Sequence, residues 1–306
     1  MPRVSFAAFA MCLLLSAASA RAEEDCRLQI VASLPLEIDQ TGRIVVPAAI
    51  GGHPVSMLVD TGSPASILRQ GMADALGLKS EMVVAPVWFE LFGGVHLYRY
   101  VKAKDFSLGG MTAAKALFLL IPDDAMVPGQ DGLLGADFLS NLDVDFDFAN
   151  AKLNLFAPHR CEGRAVYWTQ DEAAIAKVPI SLEDDRHIDV PIKIDGKPLK
   201  AVFDTGASRT VMNLETGMDK FGLTPASPGM QRQGNTGDSN PSYSYTFKTL
   251  TFEGVTVNNP VVVFVPEEKS QWHEYKALLG IGILRQLHLY IAYKERMLYV
   301  TAATAH

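Results

Sequence analysis

Short runs of apolar and β-branched residues, each bounded by Gly, Pro or Asp, recur along this chain. Six of them are RIVVPAAI, VSMLVD, KALFLLI, HIDVPIKI, LKAVFD and PVVVFV. Runs of this length between turn-forming residues predict β-strands. Helical signals are few and brief, in GMADALGL, in ETGMDKFGL and after each Leu-Leu-Gly. The pattern therefore predicts an all-β protein with few short helices.

The pattern of the first half returns in the second half. Asp-Thr-Gly occurs at residues 60–62 and again at 204–206, a spacing of 204 − 60 = 144. LLGADFL at 133–139 returns as LLGIGIL at 278–284, a spacing of 145. Such constant spacing indicates an internal duplication. We predict two homologous β-barrel lobes related by a pseudo-two-fold axis.

The duplication also predicts where the lobes begin and end. The first lobe is expected at residues 23–157 and the second at 177–306. The segment between them, 158–176, has no counterpart in either repeat and is interpreted as a linker.

Residues 1–22 have the pattern of a secretory signal peptide. Arg3 gives a positive start, an apolar run of 13 residues follows at 6–18, and Ala-Arg-Ala at 20–22 is a small-x-small cleavage site. The run is too short to span a bilayer, which takes about 20 residues. We predict an exported protein, periplasmic or secreted, without membrane insertion after cleavage.

The charge balance argues against some classes of partner. Removal of the signal peptide takes away two Arg and no acid, so the net charge becomes (27 − 2) − 34 = −9. An acidic chain without a Lys/Arg cluster is not expected to bind nucleic acid. The seven histidines show no His-Glu-x-x-His spacing, so neither a metal nor another cofactor is predicted.

Two cysteines remain outside the signal peptide, Cys26 and Cys161. An even number of cysteines in an oxidising compartment favours one disulfide, and the alternative is two free thiols. A bond between them would tie the N-terminal segment to the joint between the lobes.

The repeated Asp-Thr-Gly has a chemical interpretation. An apolar strand that ends in Asp presents a carboxylate at its tip, Thr supplies a hydroxyl for a neighbouring loop, and Gly lets another backbone approach. If the lobes meet about a two-fold axis, Asp60 and Asp204 meet there as well. Two carboxyl groups so close share a proton and can act as base and acid.

With these motifs in both halves, the chain resembles a retropepsin-like aspartic protease of the pepsin clan, in a bacterial exported form with two fused lobes. The resemblance implies that Asp60 and Asp204 are the catalytic dyad. It implies that further residues support the dyad: Thr61, Gly62, Ser63, Thr205 and Gly206. The glycine of each Leu-Leu-Gly matches the family's apolar-apolar-Gly motif, beneath which the active-site strand passes.

The family closes its cleft with β-hairpin flaps, and both halves have a candidate. These are WFELFGGVHLYRY at 88–100 and QRQGNTGDSNPSYSY at 231–245. The first is apolar and the second polar, so we expect an asymmetric cleft. The alternative is that either segment is an exposed hairpin without substrate contact. The candidate substrate-binding residues are Phe92, Gly93, Gly94, Gly234, Asn235 and Thr236.

The two copies differ after the glycine, where Ser63 in the first half corresponds to Ala207 in the second. A Ser63 hydroxyl bonded to the Asp60 carboxylate would favour its ionised form. Our hypothesis is therefore that Asp60 carries the lower pKa of the pair.

The acidic stretch DVDFDFANAKLN at 143–154 has a simpler interpretation than a calcium loop. Its sixth position is Phe148 and its twelfth is Asn154, where a calcium loop needs Gly and Glu. Alternation of Asp with Val and Phe predicts a strand with one solvated face and one buried face.

The sequence thus predicts an aspartic endopeptidase that acts on proteins or peptides through a water activated by Asp60 and Asp204. We expect it to be a monomer, since one chain supplies both aspartates. The alternative is an inactive duplicated domain that serves as a peptide-binding or sensor module.

Overall fold

The structure is a computed structural model. It describes residues 26–83, 89–91, 95–126, 128–158, 161–182, 187–234, 241–266 and 277–303. The predicted signal peptide lies outside these residues. So do five of the predicted substrate-binding residues, namely Phe92, Gly93, Gly94, Asn235 and Thr236.

The first half is built from short strands, as the apolar runs predict. Its elements are β1 (Ile30–Pro35), β2 (Glu37–Ile38), β3 (Ile44–Ile50), β4 (His53–Val59), β5 (Ile67–Arg69), α1 (Gln70–Ala75), β6 (Ser80–Met82), β7 (Phe89–Leu91), β8 (Val95–Leu97), β9 (Arg99–Leu108), β10 (Met111–Ile121), a 3-10 turn (Asp123–Ala125), β11 (Gly132–Leu134), α2 (Ala136–Leu139), β12 (Asp143–Asp147) and β13 (Lys152–Phe156).

The second half follows nearly the same order. After a 3-10 turn (Glu172–Ala174) come β14 (Ala176–Pro179), β15 (Ser181–Leu182), β16 (Ile188–Ile194), β17 (Lys197–Phe203), β18 (Thr210–Asn213), α3 (Leu214–Phe221), β19 (Gln231–Gln233), β20 (Ser242–Thr246), β21 (Thr249–Phe252), β22 (Val255–Asn258), β23 (Val261–Val265), β24 (Ala277–Leu279), α4 (Ile281–Leu284), β25 (Leu287–Ala292) and β26 (Met297–Ala302).

Each half forms a barrel-like lobe. In the first lobe the sheet runs β3-β4-β11-β5-β10-β9, and β9 pairs back onto β3 to close a ring. In the second it runs β16-β17-β24-β18-β23-β20, and β21, which follows β20, pairs back onto β16. Alternate side chains of the strands fill the interior, for example Val55, Met57 and Val59 of β4. The fold is therefore all-β with two homologous lobes, as predicted.

One antiparallel sheet joins the two lobes. Its strand order is β1-β13-β12-β25-β26-β14, with three strands from each half. At its centre β12 pairs with β25 over five residues, from Asp143 opposite Ala292 to Asp147 opposite His288. The second set of three strands repeats the first in reverse order, as a pseudo-two-fold axis between β12 and β25 requires.

The strand predicted at Asp143–Asp147 is present, but the expectation that its acidic face is solvated is wrong. All five residues of β12 are buried. The Oδ1 atom of Asp145 lies 2.7 Å from Nε2 of His288, and the Tyr167 hydroxyl donates to Asp145 Oδ2 at 2.7 Å. Trp168 stacks on His288 with ring centroids 4.0 Å apart. Tyr167 and Trp168 belong to the predicted linker, which covers the acidic face.

A disulfide joins Cys26 to Cys161, with Cα atoms 4.7 Å apart. It joins the N-terminal segment to the predicted linker, at a sequence separation of 135 residues. Among the described residues, we find no helix with the length and apolar character needed to cross a membrane.

The double variant Cys26→Ser/Cys161→Ser should lower the free energy of unfolding by about 2–5 kcal/mol, because the unfolded chain loses a long closed loop. Urea unfolding of the oxidised wild type and the variant measures the difference. Wild type reduced with dithiothreitol serves as the control and should match the variant. Equal midpoints for all three samples would contradict the prediction.

Candidate active site

Asp60 and Asp204 stand at the ends of equivalent strands. Asp60 follows β4, and its N–H donates to the carbonyl of Leu134 in β11 at 3.0 Å. Asp204 follows β17, and its N–H donates to the carbonyl of Leu279 in β24, also at 3.0 Å. The strand that carries each Leu-Leu therefore holds the corresponding aspartate in the same place in its lobe.

The glycine of each Leu-Leu-Gly permits a close crossing of two backbones. β11 lies between β4 and β5, and Gly135 passes the loop that joins them. A Cβ atom at Gly135 would lie 2.5 Å from the carbonyl carbon of Ala65. One at Gly280 would lie 2.7 Å from the carbonyl oxygen of Ala207. Side chains do not approach so closely, which explains why both repeats have glycine here.

Thr61 and Thr205 form four hydrogen bonds across the lobe boundary, which we call the threonine grip. The Thr61 hydroxyl donates to the carbonyl of Phe203 at 2.8 Å and accepts the N–H of Thr205 at 3.0 Å. The Thr205 hydroxyl donates to the carbonyl of Val59 at 2.8 Å and accepts the N–H of Thr61 at 3.1 Å. Both side chains are fully buried. The grip fixes the two Asp-Thr-Gly loops against one another.

The threonine grip brings the two carboxyl groups into contact. Asp60 and Asp204 are hydrogen-bonded to one another through their side chains. Each also packs against the glycine of the opposite loop. A Cβ atom at Gly62 would lie 2.5 Å from Cγ of Asp204, and one at Gly206 would overlap the carboxyl group of Asp60. The glycines of both motifs are therefore required by the opposite aspartate.

Backbone N–H groups bind the two carboxyls unequally. Oδ1 of Asp60 accepts the N–H of Gly62 at 2.9 Å. Oδ1 of Asp204 accepts two N–H groups, from Gly206 at 2.7 Å and from Ala207 at 3.1 Å. Such bonds favour the ionised form of a carboxyl group.

The pKa values of both aspartates are raised. Burial raises the pKa of Asp60 well above 3.8, and the charge of Asp204 and their mutual hydrogen bond raise it further. Burial also raises the pKa of Asp204, but the Gly206 N–H, the hydrogen bond from Asp60 and the Ala207 N–H oppose this rise. The backbone N–H groups thus favour the carboxylate form of Asp204 more than that of Asp60.

The hypothesis that Ser63 gives Asp60 the lower pKa is wrong. The Ser63 hydroxyl donates to the carbonyl of Ala65 at 2.8 Å, within its own turn. The group of Ser63 that lowers the pKa of Asp60 is its backbone N–H, not its hydroxyl. Its effect is smaller than the effect of the Gly62 N–H. Because the Ser63 hydroxyl donates to the carbonyl of Ala65, it does not stabilise the carboxylate of Asp60. The difference between Ser63 and Ala207 therefore does not have the predicted effect on the pKa of Asp60.

Two residues beside the dyad were not predicted. Nε of Arg43, in the first lobe, donates to the carbonyl of Gly206 in the second at 3.0 Å. Tyr293 is buried, and its hydroxyl has no hydrogen-bond partner within the described part of the chain. Burial and the charge of Asp60 raise the pKa of Tyr293. The one sequence signal is a difference between the two repeats. His187 stands at the position equivalent to Arg43, and Phe148 stands at the position equivalent to Tyr293.

The arms of both predicted hairpins are present. β7 pairs with β8, placing Leu91 opposite Val95, and β19 pairs with β20, placing Gln233 opposite Ser242. Gly234 follows β19 with a φ of 86°, in the left-handed region that favours glycine. Across the ranges that the structure describes, no group of three or more His, Cys, Asp or Glu side chains is arranged to hold a metal ion.

The geometry agrees with a comparison to known protein families. The model of a family described as aspartyl protease matches the chain twice, over residues 46–138 and 190–283. The chain belongs to the aspartyl protease family. Each matched segment holds one Asp-Thr-Gly and one Leu-Leu-Gly, so the unit that the family model describes occurs twice in this chain.

A solved structure has the same fold as this aspartyl protease family member. The crystal structure of Basic 7S globulin from soybean is similar with a TM-score of 0.52 and 11% identity, covering 91% of this chain and 96% of that one. At this identity the similarity shows the fold alone. A search of curated proteins finds no match.

Thr61→Val should lower the free energy of unfolding by about 1–3 kcal/mol, because it leaves the Phe203 carbonyl and the Thr205 N–H buried without their hydrogen-bond partner. Thr61→Ser keeps the hydroxyl and serves as the matched control, with a smaller loss. Urea unfolding measures both. Equal stability of the Val and Ser variants would show that the threonine grip contributes nothing.

The free energy of unfolding of Asp60→Asn should increase relative to that of the wild-type protein as the pH rises. Because the folded pKa of Asp60 is raised above 3.8, its carboxyl group stabilises the folded state at low pH, and that contribution is lost as the pH rises through the raised pKa. Urea unfolding between about pH 3 and pH 8 measures both proteins. Parallel stability curves would contradict the raised pKa.

Proposed function

We propose that this chain is an aspartic endopeptidase that hydrolyses peptide bonds of proteins or peptides, with Asp60 and Asp204 as its catalytic residues. The observation that carries the proposal is a half-buried, hydrogen-bonded pair of carboxyl groups, one from each lobe. Carboxyl groups this close share one proton, an arrangement known from aspartic proteases. Membership of the aspartyl protease family supports the same reaction class.

The shared proton provides both an acid and a base. Ionised Asp204 accepts a proton from a water whose oxygen bonds to the carbonyl carbon, while Asp60 gives its proton to the carbonyl oxygen. In the resulting tetrahedral diol, Asp204 then returns a proton to the nitrogen as the C–N bond breaks. Asp60 takes a proton from the diol hydroxyl. The pair ends with its original single proton, and no covalent enzyme intermediate forms.

The two sides of the cleft support an asymmetric polypeptide substrate. Leu58, two residues before Asp60, belongs to a buried apolar cluster that includes Leu97 of the hairpin strand β8. In the second lobe the corresponding hairpin carries Gln233, whose amide donates to the Ser244 hydroxyl at 2.8 Å. We therefore expect apolar substrate side chains to be bound on the side of the first lobe.

We further propose that the enzyme is an exported monomer, periplasmic or secreted. One chain supplies both carboxyl groups, so a second copy is not required for the site. The disulfide between Cys26 and Cys161 is of the kind that forms in oxidising compartments. The acidic charge supports polypeptides rather than nucleic acids as partners.

Asp60→Asn and Asp204→Asn should each lower the rate of cleavage of a denatured protein by about 10³-fold or more, because each removes one member of the acid–base pair. The assay uses purified protein without its signal peptide, at several pH values, and follows new N-termini. Asp219→Asn makes the same chemical change at an exposed position of α3 and serves as the matched control.

Cleavage that survives either dyad substitution would exclude the proposed catalytic roles. A wild-type protein that binds peptides without cleaving them at any pH would instead identify the chain as a peptide-binding or sensor module.

A further inference from the structure

The two lobes place different residues at the same distance before their aspartates. Arg43 precedes β3 and lies 60 − 43 = 17 residues before Asp60. His187 precedes β16 and lies 204 − 187 = 17 residues before Asp204. The first copy of the repeat therefore has a permanent cation where the second has a titratable ring.

The side chain of Arg43 is fixed at both ends of its guanidinium group. Nε donates to the carbonyl of Gly206 at 3.0 Å, and Nη1 donates to the Thr41 hydroxyl at 3.1 Å. Thr41 is itself fixed by Asp39, whose Oδ1 accepts its hydroxyl at 2.6 Å and its N–H at 2.8 Å. The turn that contains Asp39 and Thr41 thus directs the cation of the first lobe onto the backbone of the second.

The peptide unit that Arg43 contacts is one that binds Asp204. The carbonyl of Gly206 and the N–H of Ala207 belong to the same peptide unit, and this N–H donates to Oδ1 of Asp204 at 3.1 Å. A charged donor on the carbonyl oxygen polarises the unit and strengthens its N–H as a donor. The guanidinium group can therefore favour the carboxylate form of Asp204 without touching it.

We propose that Arg43 is a positioning residue that assigns the two aspartates their roles, by holding Asp204 as the carboxylate and leaving the shared proton on Asp60. This inference rests on the proposed function and deepens it, because it names which carboxyl group starts the reaction as base and which as acid.

Other ionisable groups act on the same pair. Asp60 and Asp204 are hydrogen-bonded to one another, and the charge of Asp60 also raises the pKa of Tyr293. Burial raises the pKa of Asp204, and the charge of His187 is among the contributions that lower it. Arg43 differs from these groups because it acts through a single named peptide unit, so its effect can be removed alone.

The test is a titration of the two carboxyl carbons by NMR in protein labelled with ¹³C-aspartate. Signals are assigned by their loss in Asp60→Asn and Asp204→Asn. In the wild type, the lower apparent pKa of the pair should belong to Asp204. In Arg43→Met, which removes the charge and the donor, that pKa should rise by about one unit. Arg43→Lys retains a cation and should recover at least part of the shift.

An Arg43→Met protein whose carboxyl groups titrate as in the wild type overturns the proposal, even if its free energy of unfolding falls. A residue that only links the two lobes structurally would change stability and leave the titration unchanged. If that variant does not fold, Thr41→Val removes the hydroxyl that anchors Nη1. It should give a smaller rise in the same direction, and an unchanged titration there also overturns the proposal.

The titration requires no substrate, so the two proposals can fail separately. A chain that shows the shift but cleaves nothing would refute the endopeptidase function and retain the effect of Arg43 on Asp204. A chain that cleaves, with the acidic limb of its pH-rate profile unmoved in Arg43→Met, would refute only the role of Arg43.

Discussion

The arrangement of the dyad depends on the four hydrogen bonds of the threonine grip. Each hydroxyl donates to a carbonyl of the opposite lobe and accepts an N–H from the opposite loop, so all of these buried groups are satisfied only when both lobes are in register. Two carboxyl groups repel one another when both are charged. The grip holds them together regardless, and their partial burial adds to the cost of charging both.

Much of this arrangement could be predicted because the chain repeats it. Asp-Thr-Gly and Leu-Leu-Gly each occur twice at constant spacing, so the pattern indicated both the lobes and the residues that meet between them. The direction of the Ser63 hydroxyl could not be predicted, since it depends on a turn that offers the carbonyl of Ala65. Nor could the cover of Asp145, because strand alternation gives the residues of a face but not the Tyr167 that lies over it.

Duplication gives the site its geometry, and divergence between the copies distinguishes its two halves. Identical carboxyl groups in identical surroundings would have equal affinity for the proton. Here Asp204 accepts two backbone N–H groups on one oxygen, and Arg43 reaches the peptide that supplies one of them. The substitutions that break the symmetry lie beside the repeated motifs rather than in them, so the contact between the lobes is preserved.

The pairing of β12 with β25 has a consequence for either half alone. In the intact chain neither strand has a free edge, since each is bonded to the other along five residue pairs and to its own lobe on the opposite side. A separated half would expose a full row of unpaired backbone groups, which is a template for adding any other strand. Joining the lobes in one chain therefore also gives each of these edges a permanent, intramolecular partner.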